Sequence, residues 1–374
     1  MAFKKYFGFL LSLCCVHCFN KIVANAGNDC QTKSGQSGKC MPILNCSSLV
    51  ELSVKVSRTE METALLKYSV CDVEEFTYKV YCPQKDYISA ALNNDKIQSR
   101  GNLPTTKKCG LDAPSIANRI YGGVNTINGE YPWTVGIFFK NKLTFPDNED
   151  FLICAGSLIT EYFVITAAHC FSDEKKSVPD YFVRLGARII NNPMLDNEID
   201  AIIKHPHYRK KTSVNDAALL HMKVGVKYSQ ITPICLPLDV SLRDNKRYEK
   251  QQASISGWGM TKKDNSDPSS IQLKTHVEII PVVQKEKYYY CNNFTISSSK
   301  MCATGKDHDA CKADSGGPLM IKETLNGSTN WYLIGIVSYS NLNNKCGTDQ
   351  SIGIYSRVNT FIDWIILTLK TYCK

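Results

Sequence analysis

The residues best suited to covalent chemistry lie in Asp309-Ala310-Cys311-Lys312-Ala313-Asp314-Ser315-Gly316-Gly317-Pro318. A serine hydroxyl is a weak nucleophile, so it needs a base beside it and donors aimed at a developing oxyanion. The glycines after Ser315 let the backbone turn sharply and let a substrate come close. A plain turn is the competing reading, because every residue of Asp-Ser-Gly-Gly-Pro favours turns. A base is available upstream in Thr166-Ala167-Ala168-His169-Cys170, and a carboxylate to orient it in Asn215-Asp216-Ala217-Ala218-Leu219-Leu220. In that chemistry His169 takes the Ser315 proton and returns it to a leaving amine, while Asp216 fixes the imidazole tautomer and stabilises its charged form. The bland alternatives are a core histidine and a helix-capping aspartate, since Ala-Ala-Leu-Leu follows Asp216.

The elements that must carry these groups are short. Apolar runs at Trp133–Phe139, Phe151–Ile159, Phe163–Thr166, Ala253–Ser256 and Leu333–Val337 are separated by turn residues. This spacing predicts an all-β barrel protein. Phe361–Leu369 has apolar residues at helical spacing and reads as a terminal helix docked on a barrel.

The chain has 374 residues, 43% hydrophobic and 21% charged, which suits globular domains rather than disorder. Its 17 cysteines are too many for a reduced cytosolic protein and point to an oxidising compartment. The net charge of +9 is dispersed. Arg209-Lys210-Lys211 and Lys262-Lys263 read as solvated loops, so no nucleic-acid partner is expected. Residues 1–26 read as a secretory signal: Lys4 and Lys5 open it, an apolar run from Tyr6 to Val16 follows, and Ala24-Asn25-Ala26 has the small-x-small cleavage form. No apolar run is long enough for a comfortable membrane span. A secreted, extracellular chain beginning near Gly27, with no membrane partner, is the expectation.

Residues 27–83 carry Cys30, Cys40, Cys46, Cys71 and Cys82 in a stretch too small to hold itself by apolar burial alone. Disulfides would staple it; zinc is the weaker alternative, because no Cys-x-x-Cys pair occurs there. Residues 84–119 form a linker rich in Pro, Asn, Lys and Gly. Asn293-Phe294-Thr295 and Asn326-Gly327-Ser328 are glycan acceptor sequences, at Asn293 and Asn326.

Arg119-Ile120-Tyr121-Gly122-Gly123 precedes the histidine, aspartate and serine motifs. Together, in this order, the four stretches resemble the chymotrypsin-like serine proteases from Ile120 to the C-terminus. The N-terminal cysteine stretch, ending in Val80-Tyr81-Cys82-Pro83, resembles the clip domain of arthropod proteases. The resemblance implies a chymotrypsin-like double β-barrel over 120–374, behind a small disulfide-stapled clip domain. It also implies that Arg119-Ile120 is an activation bond. Cutting it frees the Ile120 ammonium to turn inward and pair with Asp314, so the uncut chain is an inactive zymogen. Asp309, six residues before Ser315, would floor a specificity pocket selecting Arg or Lys. Gly353 keeps that pocket open. Ser340 stands where glycine is usual and narrows the entrance or restricts the strand that binds substrate.

The oxyanion donors implied are the backbone N–H groups of Ala313 and Ser315. The family has glycine at Ala313, and losing one such donor costs about 3 kcal/mol. The implied disulfides are Cys40–Cys71, Cys46–Cys82, Cys109–Cys235, Cys154–Cys170, Cys291–Cys302 and Cys311–Cys346. Three of the 17 cysteines, Cys14, Cys15 and Cys18, lie in the signal segment; Tyr81 replaces a clip cysteine, so Cys30 and Cys373 remain of the other fourteen, to pair with each other or each between chains. Gly186-Ala187-Arg188 lacks the acidic residue of the family's calcium loop, so no metal and no cofactor are expected. The partners implied are protein substrates with Arg or Lys at the cleaved bond, an upstream activating protease and a serpin inhibitor. The setting implied is an arthropod immune cascade, through prophenoloxidase or Toll, or a venom. The alternative is a catalytically weak homologue that serves another protease as a binding cofactor.

Overall fold

The structure is a computed structural model and describes residues 30–31, 37–42, 46, 49, 52, 59, 62, 69–74, 77–83, 103–111, 124–140, 150–172, 178–244, 246–259, 268–285, 288–291, 294–305, 314–340 and 352–372. The chain divides into two compact units, residues 94–366 and residues 1–93 with 367–374.

In the smaller unit β1 (Cys30–Gln31), β2 (Ser37–Pro42), β3 (Val70–Glu74) and β4 (Thr77–Pro83) form an antiparallel sheet in the order β1-β2-β4-β3. Its core is small: Cys46, Leu49, Val80 and Cys82 are buried, with Met41 and Leu52 packed against them. A Cys46–Cys82 disulfide runs through this cluster and constrains the unfolded chain where apolar area is scarce. Cys40 is also disulfide-bonded.

Among its described residues the larger unit is all-β apart from short 3-10 turns and the start of the C-terminal helix, Ile362–Tyr372. A short β5 (Val124–Asn125) precedes β6 (Thr134–Phe139), β7 (Phe151–Leu158), β8 (Phe163–Thr166), β9 (Tyr181–Leu185), β10 (Leu195–Lys204) and β11 (Ala218–Met222). The last six close a barrel in the order β10-β11-β8-β7-β6-β9. Then come β12 (Gln252–Gly257), β13 (Leu273–Ile280), β14 (Val282–Lys285), β15 (Tyr288–Cys291), β16 (Phe294–Ile296), β17 (Lys300–Thr304), β18 (Pro318–Leu325), β19 (Ser328–Ser340) and β20 (Gly353–Arg357). The order β12-β18-β19-β20-β17-β13 closes through β12–β13 pairing into a second barrel, and β5 adds to β13. β14, β15 and β16 form a small separate sheet.

The apolar runs seen in the sequence become β6, β7, β8, β12 and the middle of β19. They read as continuous runs because β6 and β8 are buried nearly throughout. By contrast β10 keeps Asn197 and Ile199 inside and Asp196, Glu198 and Asp200 outside. Trp133, Trp258 and Tyr355 are fully buried aromatics of the barrel cores, each side chain contributing about 2 to 3 kcal/mol by burial.

Polar bonds cross the seam between the barrels. Thr134 Oγ1 and Ser256 Oγ lie 2.7 Å apart, and Trp133 Nε1 donates to Met320 Sδ at 2.9 Å. The end of the linker is laid on the second barrel. Gly110 N donates to Pro233 O and Gly110 O accepts from Trp331 N, while Asn330 Nδ2 reaches Thr106 O and Cys109 O. A Cys109–Cys235 disulfide locks this run. Gly110 adopts φ 57°, and a Cβ there would lie 2.2 Å from Trp331 O, so only glycine lets the run lie this close. Composition alone gave these residues no structure; hydrogen bonds to a distant strand supply it.

Candidate active site

His169 sits in one turn of 3-10 helix, Ala168–Phe171, directly after β8. Its neighbour Cys170 is bonded to Cys154 on β7, which ties the histidine turn to the barrel wall. Asp216 stands just before β11. Asn215 takes the left-handed conformation at φ 53°, which asparagine tolerates, and turns the chain so that Asp216 enters the seam. Since Ala218–Met222 is a strand, the helix-capping reading of Asp216 does not hold.

Asp216 is fully buried. Its Oδ1 accepts the backbone N–H of His169 at 2.9 Å, and its Oδ2 lies 2.8 Å from Nδ1 of the ring. An ionised carboxylate only accepts, so Nδ1 carries the proton and Nε2 is the basic nitrogen. Ser338 Oγ donates to the same Oδ2 at 2.5 Å, and Ser356 Oγ donates to the Asp216 carbonyl at 2.8 Å. Ser338 is aimed by a β-bulge: the β19–β20 register shifts between Val337 and Tyr339, which re-directs the residue between them. Burial pushes the Asp216 carboxyl up. The hydrogen bond and charge of His169, the Lys300 ammonium and the Ser338 hydroxyl outweigh it and hold the group below the usual carboxylate range.

Ser315 lies on the turn that leads into β18. Its carbonyl accepts from Ala155 N at 2.8 Å, across the seam, and Gly316 N donates to Val337 O at 2.8 Å. Gly316 has φ 83°, and a Cβ there would lie 2.1 Å from Thr166 Oγ1 and 2.4 Å from Ala155 O. The serine turn is therefore wedged between β7, the end of β8 and β19, and the β8 residue it meets, Thr166, lies three positions before His169. Asp314 Oδ1 accepts the backbone N–H of Gly259 at 2.8 Å.

Ser340 and Gly353 are directly paired across β19 and β20. Gly353 is buried, and Ser340 Oγ is buried without a hydrogen-bond partner among the described residues. Asn326 is exposed, at φ 51° in the tight β18–β19 turn. Asp309, Ala313, Arg119, Ile120, Cys311, Cys346, Asn293 and Cys373, and the side chains of Cys30 and Cys71, lie outside the described residues. The disulfide Cys291–Cys302 joins β15 to β17. The Cys154 and Cys170 sulfurs cluster with His169. They are bonded to each other and so offer no thiolate to a metal. Among the described residues no helix is long and apolar enough to cross a membrane.

Three residues of this site escape sequence reasoning: Ser338, Ser356 and Lys300. Lys300 Nζ donates to Ser338 Oγ at 2.7 Å and to Ser356 Oγ at 3.0 Å. The serines carry no signal of their own. The lysine gives a faint one, as a charge opening the apolar run Met301-Cys302-Ala303.

Two closed barrels meeting at a seam, with a buried carboxylate, an imidazole and a serine turn on it, define the chymotrypsin-like class of fold. The trypsin family matches residues 120–365, and the family described as the regulatory CLIP domain of proteinases matches residues 30–82. The chain belongs to the trypsin family of serine proteases and carries a CLIP domain. It is 32% identical to CLIP domain-containing serine protease B4 of Anopheles gambiae, over 91% of each chain. It is 31% identical to Melanization protease 1 of Drosophila melanogaster, over 90% of this chain and 92% of that one. Identity to the Spaetzle-processing enzyme of Drosophila melanogaster is 30%, over 94% and 93%. The crystal structure of the Drosophila Grass clip serine protease of the Toll pathway shares the fold, with a TM-score of 0.62 and 24% identity over 92% of this chain and 98% of that one.

Proposed function

We propose that the protein is a secreted zymogen, activated by cleavage at Arg119-Ile120 into an endopeptidase that cuts after Arg or Lys. Ser315 attacks the scissile carbonyl, and His169 Nε2 takes its proton and passes it to the leaving amine. Asp216 holds the ring in the Nδ1–H tautomer and stabilises the imidazolium that forms. The N–H groups of Ala313 and Ser315 receive the oxyanion. Asp309, with Gly353 and Ser340, selects the basic side chain, and Asp314 receives the new Ile120 ammonium.

The observation that carries the reading is the double hold on His169. One carboxylate, wholly excluded from water, accepts both its main-chain N–H and its ring Nδ1–H. The relatives include a melanization protease and a Spaetzle-processing enzyme, so we place this chain in an arthropod immune cascade. An upstream protease would activate it and a serpin would stop it. Asn293 and Asn326 would carry its glycans. One observation favours a second reading, a weak homologue acting as a binding cofactor: alanine at position 313, where the family has glycine.

The test is to cleave the purified chain after Arg119 and assay an arginyl chromogenic peptide with a serine-directed covalent inhibitor. Turnover abolished by labelling of Ser315, and absent from S315A, supports the protease. Neither turnover nor labelling supports the cofactor.

A further inference from the structure

Lys300 is 1% exposed, one of the largest side chains in the molecule to be fully buried. Taking an ammonium out of water is expensive, and it persists where opposite charge and hydrogen bonds compensate. Here the compensation lies at the back of Asp216. Lys300 opens β17 and stands directly across from Ser356 on β20. Its Nζ donates to Ser356 Oγ at 3.0 Å and to Ser338 Oγ at 2.7 Å. Both serines in turn bond Asp216, one at the carbonyl and one at Oδ2.

The direction of these bonds follows from the donor at their head. An ammonium has protons and no lone pair, so both serine oxygens must accept from it. Their hydroxyl protons are then left to point at Asp216. The ammonium sets the polarity of a chain that runs from Lys300 through Ser338 to Asp216 and on to His169.

We infer that Lys300 is a positioning residue for Asp216: its ammonium turns both serine hydroxyls onto the aspartate and shares the carboxylate's charge with His169. A carboxylate that also answers to Lys300 has less to give an imidazolium. Removal of the Lys300 charge is therefore expected to show in the acid limb of the pH–rate profile. Among the described residues the titratable and charged groups around this corner are few. Asp216 faces Lys300 through Ser338, and His169 lies beyond it. The Tyr339 ring is 5.3 Å from Nζ, the Arg357 guanidinium bonds the Lys300 carbonyl, and Tyr208 feels the Asp216 charge. Burial pushes the Lys300 amine down to about 8, against the pull of Asp216, so the ammonium is the main form at neutral pH.

The inference rests on reading His169, Asp216 and Ser315 as the catalytic groups, and the experiment separates the two. Full-length wild type, K300Q, K300M and K300R are cleaved after Arg119. Active sites are counted with the covalent serine inhibitor, and kcat/KM on the arginyl peptide is followed from about pH 5 to about pH 10. Glutamine keeps a donor for the serines without charge, methionine keeps neither, and arginine keeps both.

The expected result is an acid limb displaced upward by about 0.5 to 1 pH unit in K300Q and K300M, with KM unchanged and the wild-type limb restored in K300R. K300M also loses plateau kcat, by about tenfold, because its serines are free to turn away. A K300Q limb that superimposes on wild type overturns the inference, as does a limb that follows side-chain volume rather than charge. If one variant yields no labelled sites, the remaining three still decide between charge and volume. A wild type that neither turns over nor labels overturns the protease reading itself, and this inference with it.

Discussion

Glu198 on the outer face of β10 and Asp216 in the seam are both carboxylates drawn towards lysine. Glu198 binds Lys140 at 2.9 Å and Lys223 at 2.6 Å, with its own side chain and that of Lys223 each 53% exposed. The hydrogen bond from Lys223, then that from Lys140, lowers it to about 2. That shift reports close charges in water, where salt screens them and the side chains keep their freedom, so it carries little stability. Asp216 has no water to share its charge. Each of its acceptors is taken by a fixed donor, and the cation behind it acts through two serines rather than by contact. Equal formal charges thus do different things: outside the barrel they solvate, inside the seam they orient.

The comparison predicts a steep ranking of substitutions. The largest effect belongs to D216N. It should lower kcat on the arginyl peptide by about ten thousandfold with KM nearly unchanged, because the amide favours the wrong imidazole tautomer. An unaltered kcat would break the contrast at its strong end. S338A removes one hydrogen bond to a buried charge and should cost about ten- to a hundredfold in kcat. It is read in the same assay, with active sites counted by covalent labelling.

Lys300 carries the same difference into stability. Its folded value, about 8, lies below the ordinary lysine value near 10.4. Below about pH 8 both states hold the proton and the folded chain bears the full cost of a buried ammonium. Between about 8 and about 10.4 the unfolded chain binds more protons, so wild-type stability gains as pH rises. K300M lacks this dependence. Its Tm minus that of wild type should therefore fall by about 5 to 10 °C across the window, by thermal unfolding at a series of pH values. A difference flat with pH would show that Lys300 is not a buried cation. At the weak end, E198Q should move Tm by no more than about 1 °C in moderate salt and leave kcat alone. A larger loss of either would mean that the surface cluster is not solvated.

The sequence made the barrels legible where strands are buried on nearly every residue. Val164 and Ile165 sit in an unbroken apolar run that needs no partner to be recognised. It was less informative for β10, whose outward face is charged, and for residues 103–111, whose order comes from Trp331 and Asn330 far along the chain. His169 and Asp216 could be proposed as partners because each lies in a distinctive short motif. That one aspartate holds both the main chain and the ring of the histidine is visible only in three dimensions.

The order of residues names the kinds of group available: a serine among glycines, a histidine beside a cysteine, an aspartate before an apolar run, and the periodicity that makes barrels. Tertiary structure alone decided which groups share a dry corner. Ser338 and Ser356 reach Asp216 from 122 and 140 residues away, and Lys300 reaches them across 38 and 56. The physical reason is that hydrogen bonds and desolvation act over a few ångströms of space. Closure of the second barrel, and the bulge at Ser338, fix those distances, and no local pattern of residues encodes them.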